Sequence, residues 1–528
     1  MTQPRRIGVF GWGVVAPGSR NVDAFAVNMA RPDEWLSAFD GFGPSNFLVG
    51  VPAFDFTEYK PWIDARFPPS RFAQLDKKFG DPTKFAIGAF VQALGQNPGM
   101  EAELHELATR AQVIVGGGLT DIPTYDRIGR ELDRAQRQWN RFWAAPERNA
   151  ALRAHLGGDA LHGAPADPAT VAELEQGDAE DVWWAWWAAR SDGLRTYLDA
   201  LAKTEGVDVE GDIASGKAAV IKNKQRAIRD LRSSWGAPEA PWDQVSANAL
   251  WNIASTPSSQ ISMLGKIKGM CFSPFAACST FGFALKLGME AIRRGEAKLV
   301  VVGATDPAPT PVSVGAFYNA RVLSHDGVVS KPLTGMRGTH VAGGSTVWII
   351  GDLEHYVQRG WTPLGLEPLA VGITADADHI ITPSKDGPIA AIEQAVAAAG
   401  IDAHSIGEFD MHATGTPGDH NEIELLREVL SPSCRLSARK GSFGHGMGAG
   451  GGWELTAQYL GHAAGRHFPT TLTWDELHPE IRRLHDRFVL TESGDVAAPR
   501  ASEDGPVGKL SMGIGGVNAC VISRPYRQ

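Results

Sequence analysis

Thiols are scarce in this chain. Cys271, Cys278, Cys434 and Cys520 are the only cysteines in 528 residues, and no two form a Cys-x-x-Cys pair. Their scatter argues against a disulfide framework and against a structural zinc site, and favours a reducing cytoplasm. A cationic surplus is missing too. The formal net charge is −10, so no global basic field recruits nucleic acid, and an acidic partner would have to meet a local basic patch. No apolar run approaches the roughly eighteen residues of a membrane span. No sequence period recurs well enough to define a repeat array.

What is present begins with "RRIGVFGWGVVAPG", which imitates a signal peptide. The apolar run is short, broken by three glycines and closed by Pro17, with no convincing cleavage site. It reads as a first buried strand over Ile7 to Phe10. The spacing Gly8-Gly11-Gly13 lacks the GxGxxG order and the following acid of a dinucleotide loop. Further α/β units come from a helix over Asp81 to Leu94, the strand "AQVIVGGG" and the buried run "LVVVGATD". In the carboxyl part, "GEFDMH" leads from a strand into a polar loop and a helix. Near the end, "VGKLSM" and "NACVIS" flank the glycine corner "GIGGV" as a strand pair. Residues 120–250 differ. They are rich in Arg, Asp, Glu, Ala and Trp and sparse in β-branched residues, which predicts an α-helical insertion. Its "WWAWW" is either a buried hinge of that insertion or a contact face for a partner.

Candidate chemistry starts at "PFAACSTFGFALKLGMEAIRRGEAKLVVVGATD". Phe281, Ala284, Leu285, Gly288 and Ile292 follow helical spacing, so Cys278 sits at or just before a helix amino terminus. Free N–H groups and the helix dipole there favour a thiolate. "DMHATGTPGDHNE" places His412 directly after a strand, and "RKGSFGHGMGAGGGWE" places Lys440 five residues before His445 in a glycine-dense loop. A lone histidine in such a loop is more often structural. Metal binding fits poorly, because His412 and His420 lack helical spacing and no cysteine or acid completes a set. One nucleophile with two histidines in separate strand-to-helix corners is more specific than any member alone. Asp419 and Glu422 read as residues that cap and start a helix over Asn421 to Leu430.

These segments resemble a β-ketoacyl synthase of the acyl-carrier-protein-dependent type, a condensing enzyme of the thiolase-fold superfamily. The resemblance rests on "ACST" with its helix and "VVVGATD", on "HATGTPGDHNE", on "KGSFGHGMGAGGGWE" and on "GIGGVNACVI". The opening strand and "STPSSQISMLGKIKGMCFSPFAACST" fit as well, so nearly everything outside the helical block is covered. It implies a duplicated α/β fold, two mixed five-stranded sheets with helices in layers α-β-α-β-α. Residues 1–355 would form the half carrying the nucleophile, with the insertion at about 120–250, and 356–528 the half carrying both histidines. Cys278 would hold the acyl group as a thioester. The N–H groups of His412 and His445 would stabilise the enolate formed when malonyl loses carbon dioxide. The backbone N–H groups of Cys278 and Ile514 would form an oxyanion hole. Lys440 and Glu454 would be a supporting pair positioning His445 or ordered water, and Thr414 and Thr416 would bind the pantetheine arm. No cofactor or metal is implied, since the substrates ride on the phosphopantetheine of acyl carrier protein. The implied partners are that carrier and a second subunit, identical or a related synthase. Arg71, Lys77 and Lys78 are a candidate carrier-docking patch, with a solvated helix face as the alternative.

The chain also departs from the family pattern. Ala413 replaces the usual glycine, the loop from His412 to Asp419 is one residue short, and Ile514 stands at the usual gating phenylalanine. The helical block far exceeds ordinary loop lengths and, entering the chain ahead of Cys278, is expected to cover the acyl pocket or the dimer seam. Two other readings remain: a non-condensing acyltransferase or thioesterase of the same fold, and a structural subunit paired with an active synthase.

Overall fold

The opening strand is longer than its apolar run suggested. β1, Ile7–Val15, is buried along its whole length. It belongs to a computed structural model that describes residues 5–159, 161–208, 213–380, 383–492 and 505–526. β1 edges a five-stranded sheet with β2 (Ala111–Gly116), β3 (Cys271–Phe272), β4 (Leu299–Asp306) and β5 (Gly344–Asp352), in the order β1-β5-β4-β2-β3. The first two pairings in that order are antiparallel and the last two parallel.

The second sheet repeats this plan. β6 (Glu367–Ala375), β7 (Glu408–Asp410), β8 (Arg435–Ser437), β9 (Val507–Gly513) and β10 (Val517–Arg524) run β6-β10-β9-β7-β8. The pairing senses again go antiparallel, antiparallel, parallel, parallel. Strand for strand, the order and direction match, so the expected duplication is present. α1 (Asp81–Leu94) and α2 (Thr256–Leu264) lie against the first sheet. α3 (Thr280–Arg293) and α6 (Met447–Ala463) pack on one another and touch both sheets. α4 (Asp386–Ala399) covers the second sheet, and α5 (Gly418–Val429) buries Ile423 and Leu426 beside Phe409 and Leu436. These are the five layers.

The glycines of β1 serve this stacking. A Cβ on Gly13 would lie 1.9 Å from the Ala89 carbonyl oxygen, and one on Gly11 2.4 Å from that of Ala93. They sit inside the strand, where they let α1 settle directly on the sheet, and form no nucleotide loop.

Tyr125–Ala249 is a separate compact unit. Its described residues form helices, among them Ala150–Leu156, Gln176–Ala188 and Asp192–Glu205, with no strand. A core of its own gathers Trp139, Trp143, Trp183, Trp187 and Tyr197. The tryptophan run is explained by that core: Trp183 and Trp187, one helical turn apart, are buried in it, with Trp184 and Trp186 partly buried against it. Among the described residues, no helix is long and apolar enough to cross a membrane.

Candidate active site

Between β3 and α3 the chain makes one tight turn, Ala277–Ser279, with Cys278 at its centre. Ala277 takes a positive φ of 45°, a strained conformation for a residue with a Cβ. The two residues after the thiol hold the turn. Thr280 Oγ1 accepts from the Ala276 N–H and lies 3.1 Å from the Gly117 carbonyl after β2. Ser279 Oγ donates toward the Ser511 and Val517 carbonyls of β9 and β10. "ACST" therefore fastens the nucleophile to both halves of the fold.

His412 follows β7, and His445 lies between the short helix Lys440–Phe443 and α6. His445 Nε2 stands 3.0 Å from Cys278 Sγ. The two imidazoles meet edge to face with centroids 5.3 Å apart. Cys278, His412, His445, Thr414, Thr416 and Ile514 all line one cavity of about 400 Å³. The threonine hydroxyls are 3.0 Å from one another. The N–H groups of Ile514 and Cys278 both address the sulfur. Ile514 owes its place to a corner in which Gly515 and Gly516 have φ of 92° and 70°.

Burial sets the protonation states, and it corrects the expectation of a favoured thiolate. Desolvation pushes the Cys278 thiol up to about 11, although Lys440 and the Ile514 N–H pull the other way. Loss of water outweighs a single helix turn's dipole. Burial likewise holds His412 and His445 well below the ordinary imidazole value, assisted by the charges of Lys440 and Lys509. The site at rest is a thiol beside two neutral imidazoles.

The acids after His412 also differ from expectation. α5 begins at Gly418, and Asp419 and Glu422 reach back to the preceding loop instead of capping the helix. Glu422 accepts from the N–H groups of His412 and Ala413 at 2.6 and 2.7 Å. Asp419 accepts from Thr414 and Gly415 at 2.8 and 3.0 Å, and from Leu333 at 2.9 Å. Two carboxylates, one turn apart on a helix, thus take four consecutive peptide N–H groups. Burial raises Glu422 to about 7 against those bonds.

Lys440 and Glu454 do pair, at 2.6 Å and fully buried. The pair contacts His412, whose backbone carbonyl accepts from Lys440 Nζ, where His445 or ordered water had been the expected target. Buried charged residues escaped the sequence reading, Lys509, Asp410 and Arg439 among them. Lys509 Nζ lies 2.8 Å from Glu454 and 3.3 Å from Asp410, and Arg439 Nε lies 2.9 Å from Asp410. A signal existed: Lys509 interrupts the apolar strand "VGKLSM", and a lysine there requires a buried anion. Arg71, Lys77 and Lys78 lie on the helix Ser70–Lys78 and do not line the cavity; Arg71 donates to Gln260. Among the described residues no group of His, Cys, Asp and Glu is placed to hold a metal ion.

A sulfur addressed by an imidazole and by two peptide N–H groups, at the junction of two like halves, is the class of site that can do covalent nucleophilic catalysis with its own oxyanion hole. The family models agree with that class. One described as "Beta-ketoacyl synthase, N-terminal domain" matches residues 210–354, and "Beta-ketoacyl synthase, C-terminal domain" matches 368–471. Over those two segments, which carry Cys278, His412, Lys440, His445 and Glu454, the chain is similar to β-ketoacyl synthases. It is 29% identical over 271 residues to 3-oxoacyl-[acyl-carrier-protein] synthase I, chloroplastic, of Arabidopsis thaliana, covering 49% of this chain and 55% of that protein. It is 29% identical over 231 residues to Nodulation protein E of Rhizobium meliloti, covering 43% and 57%. The chain thus spans about half the length of the curated relatives it matches. Among solved structures, the ishigamide ketosynthase/chain length factor superposes with a TM-score of 0.66 at 18% identity, over 99% of this chain and all of that one. A β-ketoacyl synthase from Burkholderia phymatum STM815 does so at 0.66 and 17%, with the same coverage.

Proposed function

We propose that the protein is a 3-oxoacyl-[acyl-carrier-protein] synthase, a decarboxylative condensing enzyme of fatty acid, specialised lipid or polyketide synthesis. The observation that carries this reading is the convergence of Cys278, His412 and His445 on one cavity. In the first half-reaction Cys278 Sγ attacks the carbonyl of an acyl thioester. The oxyanion rests on the N–H groups of Cys278 and Ile514, and the carrier sulfur leaves with the thiol's proton. In the second, a malonyl thioester enters and its C–C bond to the carboxylate breaks, releasing carbon dioxide. The enolate oxygen is met by Nε2–H of the two imidazoles, which their low proton affinity keeps neutral and donating. The enolate carbon attacks the acyl-cysteine, the 3-oxoacyl thioester leaves, and the expelled thiolate takes one proton from water.

Thr414 and Thr416 lie in the cavity wall as hydroxyl partners for a pantetheine amide. The substrates bring that arm, so no resident cofactor is required. A carrier partner is supported by the neighbour described as a type II polyketide acyl-carrier protein in complex with its ketosynthase, with TM-score 0.63 and 17% identity. Pairing with a second subunit, identical or related, is supported by the exposed edge strand β3 and by the apolar side chains exposed around it, Met263, Met270, Phe272 and Phe275. Four unpaired thiols, Cys271 among them exposed, suit a reducing cytoplasm.

The test is incubation with acyl- and malonyl-loaded carrier proteins. An acyl adduct on Cys278 by mass spectrometry, followed by carbon dioxide release and a product two carbons longer, is expected. An adduct without carbon dioxide would indicate plain acyl transfer, and no adduct would refute the reading.

A further inference from the structure

The loop that carries His412 is held on its N–H side by Asp419 and Glu422. Its carbonyl side is held by two lysines. Lys440 Nζ donates to the His412 carbonyl, and Lys509 Nζ donates to the preceding carbonyl, Met411, at 2.9 Å. One carboxylate joins the two ammonium groups: Glu454 Oε1 takes Lys440 at 2.6 Å and Oε2 takes Lys509 at 2.8 Å. Lys509 is 1% exposed and comes from β9, the strand that pairs with β7. Burial opposes its charge, but Glu454 and Asp410 outweigh that and raise its proton affinity.

Beyond Lys509 the ions continue through Asp410 and Arg439 to Glu408, which also takes His467 Nδ1 at 2.7 Å. Three cations, Lys440, Lys509 and Arg439, alternate with three carboxylates, Glu454, Asp410 and Glu408, all buried. Removing any one leaves an uncompensated charge in a low-dielectric interior, so the chain has one arrangement and little slack.

We propose that Lys509 is a positioning residue for His412. By holding the Met411 carbonyl and sharing Glu454 with Lys440, it fixes the peptide from which the imidazole projects toward the substrate. Lys509 touches neither Cys278 nor the cavity wall. Its influence therefore reaches the site through His412 and, by charge, His445, the two groups of the condensing half-reaction. This consequence rests on the condensing reading above.

The experiment separates the half-reactions in the full chain. Lys509→Met is expected to lower carbon dioxide release from malonyl carrier by pre-acylated enzyme at least thirtyfold, since a displacement of about 1 Å in a positioned group costs about 10² in rate. Acylation of Cys278 should fall no more than about threefold. Lys509→Arg, which keeps the charge, should recover part of the loss. Equal losses in both half-reactions, or no loss, overturn the inference. Should Lys509→Met fail to fold, the double variant Asp410→Asn/Lys509→Met removes one charge of each sign and is judged by the same criteria. Should the wild-type chain release no carbon dioxide, the condensing reading fails by itself. The inference is then decided by the ¹⁵N signals of the His412 ring, which must shift in the Lys509 variant and overturn it if they do not.

Discussion

Replacing Glu422 by Gln changes one atom's chemistry in a fully buried side chain and leaves its size intact. In the native loop both carboxylate oxygens are used, one on the His412 N–H at 2.6 Å and one on the Ala413 N–H at 2.7 Å. An amide can offer its oxygen to only one of them, and its NH2 then faces the other N–H, donor against donor. The loss is a charge-assisted bond of about 1.5–3 kcal/mol plus a stranded buried N–H of about 1–3 kcal/mol, so roughly 2.5–6 kcal/mol if nothing moves. Rotating the 411–412 or the 412–413 peptide, whichever N–H is stranded, relieves this and swings the imidazole. Hydrogen exchange of a peptide spanning residues 408–416 should therefore accelerate by at least tenfold, while exchange in β1 and β4 stays unchanged. In the condensing assay, carbon dioxide release should drop by about one to two orders of magnitude, with Cys278 acylation nearly preserved. If exchange of that peptide and carbon dioxide release both match wild type, the two-carboxylate clamp does not hold His412 and the argument fails.

Three further outcomes follow from the geometry. With the Cys278 thiol pushed up to about 11, its alkylation by iodoacetamide, read by peptide mass spectrometry, should climb about tenfold per pH unit from pH 7 to 10, and levelling off near pH 9 would show an ordinary thiol. Trp143→Ala should destabilise the helical unit by about 3–5 kcal/mol, with faster hydrogen exchange confined to residues 125–249, because its ring is fully buried in that unit's own core. Gly13→Ala should cost more than the roughly 1–3 kcal/mol of ordinary overpacking, since its Cβ meets backbone, the Ala89 oxygen, at 1.9 Å; a melting temperature equal to wild type would contradict the close contact of α1 with β1.

Much of the fold is legible in the chain because it is written in local pattern. The continuous apolar runs at Ile7 and Leu299 are strands buried on both faces, and the spacing of Phe281, Ala284, Leu285 and Gly288 is that of a helix between two sheets. The scarcity of β-branched residues in the block around residue 180 marks helices. Asp419 and Glu422 show where local pattern misleads. Acids at a helix start resemble caps, but whether such a carboxylate bonds its own helix or the loop before it depends on how the loop folds back. That is a matter of three-dimensional path.

By itself the sequence placed a thiol at a strand-to-helix turn and two histidines in strand-to-helix corners, and its resemblance to β-ketoacyl synthases implied the lysine and glutamate that support them. The placement of the thiol and of the two histidines is set by residue type and short-range spacing. The tertiary structure alone decided the thiol's protonation, the target of Lys440, and the enlistment of Lys509, Asp410 and Arg439 behind the site. Each of these depends on burial and on partners tens to hundreds of residues away. Desolvation and Coulomb energy act through space, and only the folded chain supplies those distances.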